Sequence, residues 1–270
     1  MMKKKLAWMM TTILLVSAAA GCGSKEEGNK EEAGSDKQTF TVGFDASFPP
    51  YGYKDGDDYV GFDLDLAQEV CDRNGWELVK QPIDWDVKDA ELDAGTIDCI
   101  WNGFTINGRE DDYEWTEAYV DNSQVFVVRK DSGIKKPSEL AGKIVLVQAD
   151  SSALHTLEDT ENAEATKLKN SFSDLQQIPE YETALMNLEA GAADAVAMDI
   201  GVAKQKLKSN ENLVILDEIL STEQYGVGFK KGNTKLRDTV QETLEAMAED
   251  GRFAEIAEKW ELTDSVCLGK

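Results

Sequence analysis

The sequence predicts an α/β protein built as two lobes with mostly parallel sheets, and three observations carry that prediction. Short apolar runs rich in β-branched and aromatic residues alternate with helical stripes, the β-α-β-α-β order that a parallel sheet with crossover helices requires. One nine-residue pattern is written twice. Leu92-Asp-Ala-Gly-Thr-Ile-Asp98-Cys-Ile100 and Leu188-Glu-Ala-Gly-Ala-Ala-Asp194-Ala-Val196 share Leu-x-Ala-Gly-x-x-Asp-x-(Ile/Val). Each copy reads as a helix end, a glycine suited to the left-handed position after it, and a new strand. Once an N-terminal segment of different composition is set aside, about 230 residues remain, which is large for one core and ample for two. Two related halves facing one another would bring both strand ends, at Trp101-Asn102 and Met198-Asp199, to one cleft. A chance echo is the alternative.

Residues 1–22 read as a targeting segment. Lys3, Lys4 and Lys5 give a positive start, residues 6–20 an apolar core, and Ala19-Ala-Gly-Cys22 a small-residue end. That order resembles a bacterial lipoprotein signal, which implies a diacylated Cys22 as the mature N-terminus and a lipid anchor in the cell membrane. Ala19 stands where such signals more often carry leucine, so ordinary cleavage leaving an unmodified Cys22 is the alternative. The apolar run is shorter than the roughly 20 residues needed to cross a bilayer, and no later stretch qualifies. Residues 23–38, rich in Lys, Glu, Gly and Ser, cannot bury enough apolar surface to offset the entropy of ordering them and read as a tether.

The chain carries 52 acidic and 28 basic residues, a formal net charge of −24. Bulk electrostatics therefore exclude nucleic acid and anionic lipid head groups as partners. With Cys22 lipidated, Cys71, Cys99 and Cys267 form an odd set, so at most one intramolecular bridge can form. Cys71 and Cys99 are expected in the core. There is no Cys-x-x-Cys, and His155 is the single histidine. These facts argue against a zinc or histidine-based catalytic centre, and no metal or cofactor is expected.

The elements follow in order. Residues 40–44 alternate as a strand that ends at Asp45, and Phe48-Pro49-Pro50-Tyr51 follows as a rigid aromatic loop. A carboxylate beyond a strand end with aromatic faces beside it can hold a cationic or polar group; the alternative is that Phe48 and Tyr51 simply pack onto their lobe. Asp63 begins a helix whose Leu64, Leu66, Ala67, Val70 and Cys71 form an apolar stripe, stopped by Gly75. A strand at 76–79 and a helix at 89–94 lead to a strand at 97–101. That strand breaks at Asn102-Gly103 into a polar loop with unpaired backbone N–H groups. In open α/β sheets ligands sit beyond the carboxyl ends of strands, and Arg109 adds a planar fork suited to a carboxylate. This loop is read as holding the acidic end of a small molecule, with a surface ion pair to Glu110 as the alternative.

Residues 125–128 read as a strand crossing into the second lobe, where a few residues can absorb a hinge angle. The second lobe opens with a strand at 143–148, then Ala149-Asp150-Ser151-Ser152 ahead of a helix. The two serines either cap that helix or form an anion site with its N–H groups and dipole. A helix at 179–190 and a strand at 195–198 deliver Asp199 to the cleft. Strands at 212–216 and 225–229 follow, the latter returning to the first lobe, and helices at 236–248 and 253–260 close the chain.

Val42-Gly-Phe-Asp45-Ala-Ser-Phe48-Pro-Pro-Tyr51, Gly61-Phe-Asp63-Leu-Asp65-Leu-Ala67 and the loop from Ile97 to Arg109 resemble the successive signatures of the amino-acid-binding proteins of ATP-binding-cassette importers, solute-binding protein family 3. The likeness runs from Thr39 to Glu261. It implies the type II periplasmic-binding-protein fold: two Rossmann-like lobes with mostly parallel sheets joined by a two-segment hinge, with residues 39–124 and 223–270 as lobe one and 125–222 as lobe two. It further implies that Arg109 grips the α-carboxylate of a bound amino acid, helped by backbone groups at Asn102 and Gly103 and the Thr105 hydroxyl. Ser151 and Ser152 would add a second hold on that carboxylate, and Asp199 would take the α-ammonium. Asp45, Phe48, Tyr51 and Trp101 outline an aromatic and acidic side-chain pocket, which favours arginine, lysine, glutamine or cystine. Trp101 either shortens that pocket or stacks on the ligand.

Two departures stand out. The loop at 105–109 is one residue short, and Asp150 stands where glycine is common, a charge that opposes carboxylate binding unless it points away. The expected function is therefore extracytoplasmic capture of a free polar or cationic amino acid and its delivery to a membrane permease, without catalysis. The alternatives are an exported enzyme resembling cyclohexadienyl dehydratase, and a sensory ligand-binding module, which the lack of a transmembrane or signalling segment after Trp260 disfavours.

Overall fold

The computed structural model describes residues 37–269. The predicted signal segment, Cys22 and all but the last two residues of the predicted tether lie outside the described residues.

The first lobe starts with β1 (Thr39–Phe44), then a small antiparallel sheet of β2 (Ser47–Phe48), β3 (Gly52–Asp55) and β4 (Asp58–Val60). Helix α1 (Phe62–Asn74) buries the predicted stripe Leu64, Leu66, Ala67, Val70 and Cys71, and Gly75 ends it in the left-handed conformation, φ 69°. Next come β5 (Glu77–Pro82), α2 (Lys88–Ala94), β6 (Cys99–Thr105) and β7 (Glu114–Trp115). Strand β1 lies between β5 and β6, parallel to both.

After the long β8 (Val120–Arg129) the second lobe repeats the plan with β9 (Ile144–Gln148), α3 (Ser152–Glu158), α4 (Ala163–Lys169), β10 (Asp174–Ile178), α5 (Tyr181–Glu189) and β11 (Ala195–Asp199). Strand β9 lies between β10 and β11, again parallel to both. Helix α6 (Ile200–Leu207) and β12 (Leu213–Ile215) lead to β13 (Ser221–Phe229), and α7 (Thr234–Asp250) and α8 (Arg252–Lys259) follow. Side chains alternate across β11: Val196 and Met198 enter the main core, while Ala195 and Ala197 join a second cluster with Phe126, Val128 and Leu154.

The lobes are joined by two antiparallel strands. One end of β8 pairs with β13 (Val120 with Tyr225 through Gln124 with Ser221), and its other end pairs with β11. Strand β13 in turn pairs with β6 through Tyr225–Phe229. The sheet therefore runs β10-β9-β11-β8-β13-β6-β1-β5, and the middle pair is the hinge.

The echoed sequences do the same job in each lobe. Gly95 and Gly191 both have φ 74°. Asp98 donates its N–H to the Thr41 carbonyl at 2.8 Å and its carboxylate accepts from the Thr41 N–H at 2.7 Å. Asp194 does so with Ile144, at 2.9 and 3.0 Å. The following residues then enter equivalent registers, Cys99 beside Val42 and Ala195 beside Val145. An aspartate at that point fixes how a strand joins its parallel neighbour, so the pattern records a structural repeat.

Two expectations are corrected. Strand β6 does not break at Asn102 but continues to Thr105, because β13 pairs with it as far as Tyr225 opposite Thr105. A register irregularity between Gly226 and Gly228 and a positive φ of 57° at Gly103 accompany that pairing. Asp63 does not cap α1, whose N-cap is Gly61; its buried carboxylate instead accepts the Gly103 N–H at 2.6 Å. The Gly103 amide is therefore not an open donor.

Candidate functional site

A cleft between the lobes is lined by Phe48, Trp85, Gly103, Thr105 and Arg109 from the first lobe and by Gln148, Ser151, Ser152 and Asp199 from the second. Arg109 reaches it because the short loop closes as a tight turn. The Arg109 N–H donates to the Ile106 carbonyl at 2.9 Å and Gly108 takes φ 79°. Arg109 is 8% exposed, and its guanidinium carbon lies 5.4 Å from the Phe104 ring centroid. The guanidinium donates to the Thr105 carbonyl (3.4 Å) and, across the cleft, to the Asp150 carbonyl (3.0 Å). A guanidinium has five N–H donors, so others remain for an anion.

Asp199 ends β11 at the opposite side of the cleft, 4% exposed. Its side chain does not cap α6. It accepts from Tyr225 Oη (2.5 Å), Gln124 Nε2 (2.7 Å), Asn122 Nδ2 (2.9 Å) and Tyr181 Oη (3.0 Å). Burial, and then the nearby Glu223 carboxylate, push its pKa up to about 7. Glu223 is also 4% exposed and accepts from Asn122, Gln124 and the Ser152 hydroxyl. Two buried carboxylates with only neutral donors around them call for a cation.

Ser151 caps α3, its Oγ accepting the Leu154 N–H at 3.3 Å. The Ser152 hydroxyl is committed to Glu223. Asp150 adopts φ 54°, and its carboxylate turns away from the cleft to meet Lys88 and the His155 ring (2.8 Å). Burial alone would raise its pKa, but His155, Lys88 and Arg109 outweigh that and hold it well below the usual carboxylate range.

The remaining predicted site residues lie elsewhere. Trp101 is fully buried and packs on Tyr119 (ring centroids 6.5 Å apart) in the main core, so it neither shortens the cleft nor faces it. Tyr51, 1% exposed, stands behind Phe48 (5.7 Å) and against Tyr225 (5.2 Å). Asn102 is a buried brace whose Oδ1 accepts the Asp45 N–H at 3.0 Å. Asp45 is 6% exposed and accepts from Gln148 Nε2 of the other lobe at 2.7 Å; burial raises its pKa. It lines an adjoining cavity of about 270 Å³ with Asp84, Trp85, Asp86 and Glu180.

Sequence reasoning missed Trp85, Gln148, Glu223, Tyr181 and Tyr225. Trp85 opens a short 3-10 turn ahead of α2 and lines both cavities. Its one available signal was a large aromatic in a polar connection.

The site thus offers fixed donors for an anion at Arg109, fixed acceptors for a cation at Asp199, and an aromatic slot that opens toward carboxylates. Among the described residues no group of His, Cys, Asp and Glu is arranged to hold a metal ion. The family described as bacterial extracellular solute-binding proteins, family 3, matches residues 40–263. The arginine-binding extracellular protein ArtP of Bacillus subtilis (strain 168) is 27% identical, over 95% of this chain and 98% of that protein. The L-cystine-binding protein TcyA of the same organism is 27% identical, over 95% and 97%. The crystal structure of an ABC uptake transporter substrate binding protein from Streptococcus pneumoniae with bound histidine superposes with a TM-score of 0.77 at 35% identity, covering 82% of this chain and 92% of that one.

Proposed function

Because the chain belongs to the bacterial extracellular solute-binding proteins of family 3, we propose that it captures a free amino acid between its lobes outside the cytoplasm and hands it to the permease of an ABC importer, without catalysing a reaction. The carrying observation is that Arg109 and Asp199, from different lobes, line one cleft. The zwitterion's carboxylate is met by the guanidinium and its ammonium by the Asp199 carboxylate, both as charge-assisted hydrogen bonds. A ligand spanning both lobes favours the closed state because the second half of its contacts exists only there.

The side chain is cationic or polar in this reading. It lies between Phe48 and Trp85 and points to Asp45, with Asp84, Asp86 and Glu180 beyond it. Relatives named for arginine and for cystine binding keep both ligands in view. Phe48, Thr105, Arg109, Ser151 and Asp199 are the contacts of this proposal; Asn102, Gly103, Tyr51 and Trp101 support them from behind, and the Ser152 hydroxyl acts through Glu223. Lobe boundaries at 124/125 and 222/223 fall within the β8–β13 crossing, which supports them. A lipid anchor on Cys22, left as the mature N-terminus once the residues before it are removed as a signal peptide, would hold the domain at the membrane surface. Among the described residues no helix is long and apolar enough to cross a membrane.

A thermal-shift panel of the twenty amino acids with cystine and ornithine tests the reading, since a tight ligand raises the apparent stability of the state it binds. Arginine, lysine, ornithine or cystine is expected to give the largest shift, followed by calorimetry. Absence of any shift across the panel at millimolar ligand would refute amino-acid capture.

A further inference from the structure

Lys88, the first residue of α2, is 1% exposed yet lies outside the cleft lining. Its ammonium crosses from the first lobe to the Asp150 carboxylate of the second. It also sits 5.4 Å from the Trp85 ring centroid and 5.9 Å from that of Phe104, with Asp89 at 4.0 Å. Burying an ammonium is costly unless it is paired, and the partner that buries with it comes from the opposite lobe. Asp150 is held from the first lobe at two points, its carboxylate by Lys88 and its carbonyl by Arg109. It keeps a left-handed backbone, disfavoured for a residue with a Cβ, at the turn where those contacts meet. Within its own lobe, among the described residues, it pairs with the His155 ring alone of the charged or titratable groups.

We propose that Lys88 and Asp150 form a lobe-closing latch, an ion pair made only when the cleft shuts, which raises the closed fraction and slows ligand escape without touching the ligand. The pair also neutralises Asp150 beside Arg109, so a carboxylate can occupy the neighbouring subsite without opposing charge. Lys88 is therefore a positioning residue acting through Asp150. The kinetic consequence rests on the amino-acid-capture reading; the conformational one does not.

The test measures the distance between fluorophores at two exposed positions, Val79 on the first lobe and Met186 on the second, by single-molecule energy transfer in the full chain without ligand. The latch requires the closed fraction to fall in Lys88→Met and in Asp150→Asn, with no further fall in the double variant and recovery in Lys88→Arg. One molar salt should lower it in the wild type and leave the two variants unmoved. For the amino acid found by the panel, stopped-flow dissociation should quicken about tenfold in each single variant and no more in the double, with the ligand-free melting temperature unchanged. Unchanged distances in both single variants, effects that add in the double, or an equal loss of ligand-free stability would overturn the latch. If the wild type binds no amino acid, the capture reading fails, and the distance measurements still decide the latch.

Discussion

The Asp199 and Glu223 carboxylates are served by the same two amides. Asn122 Nδ2 donates to Asp199 at 2.9 Å and Glu223 at 2.6 Å, and Gln124 Nε2 donates to each at 2.7 Å. Glu223 comes from β13 and both amides from β8, so the subsite proposed for the ammonium is built into the strand crossing that joins the lobes. The donors satisfy the oxygens without cancelling their charge, and the site is left in need of a cation.

Asp199→Asn tests that account with effects of opposite sign. Ligand affinity is expected to fall about a hundredfold or more, since a neutral amide replaces a charged acceptor. The ligand-free protein is expected to gain on the order of 1–3 kcal/mol at pH 8, because one buried carboxylate charge is removed beside another. Calorimetry and urea melts read the two effects separately. Unchanged affinity would remove Asp199 from the ammonium subsite.

The same groups set a pH dependence. Asp199 must be ionised to hold an ammonium, and its pKa stands at about 7, as does that of buried Asp63, which burial also raises. Affinity is therefore expected to drop as pH falls below 7, approaching tenfold per unit. Stability runs the other way. A carboxyl whose folded pKa exceeds its unfolded value near 3.8 contributes stability that is complete below that value and is lost as pH rises through 7. The ligand-free protein should melt higher at pH 5.5 than at pH 8 while binding more weakly there.

Arg109→Ala is expected to weaken binding at least tenfold, and Arg109→Lys to recover part of the loss, because an ammonium restores charge but not the planar fork. Near-wild-type calorimetry for the alanine variant would count against the assigned role.

What could be read in advance followed local rules. The α1 stripe, the left-handed glycines after Ala94 and Ala190, and the paired Leu-x-Ala-Gly-x-x-Asp segments encode their structure within a dozen residues, and they put Asp199 at the end of one strand and Arg109 in the loop beyond another. Strand β10 escaped notice because Asp174–Ile178 is a mostly polar sheet edge with no fully buried residue. Gly103 looked like a loop donor because nothing nearby in sequence shows that Asp63 takes its N–H. Trp101 was assigned to the cleft from its place at a strand end, but its side chain leaves β6 on the face packed by Tyr119. Glu223 and its amide partners are more than 95 residues apart in sequence and meet only through hinge pairing.

Trp85→Ala tests the aromatic slot. With a cationic side chain against the indole face, the loss of affinity should be about 0.5–2 kcal/mol, about twofold to thirtyfold, with a smaller effect on a neutral ligand of equal length. Equal losses for both would assign Trp85 to shape alone.

Gly201→Ala separates lobe closure from lobe stability. Gly201 lies in the first turn of α6 in the second lobe, and a Cβ there would come within 2.5 Å of the Tyr51 hydroxyl oxygen and 3.0 Å of its ring, both from the first lobe. Tyr51 is pinned between Phe48 and Tyr225, so it cannot readily give way. The clash exists only when the lobes meet. Within the helix itself alanine is favoured over glycine by up to about 1 kcal/mol. The ligand-free protein should therefore be as stable as the wild type or slightly more so. Affinity should fall about tenfold or more, and the energy-transfer distance should shift toward the open form. A variant that binds normally would mean that Tyr51 and α6 are not in contact in the ligand-bound state, and closure would have to follow a different path from the one the hinge strands define.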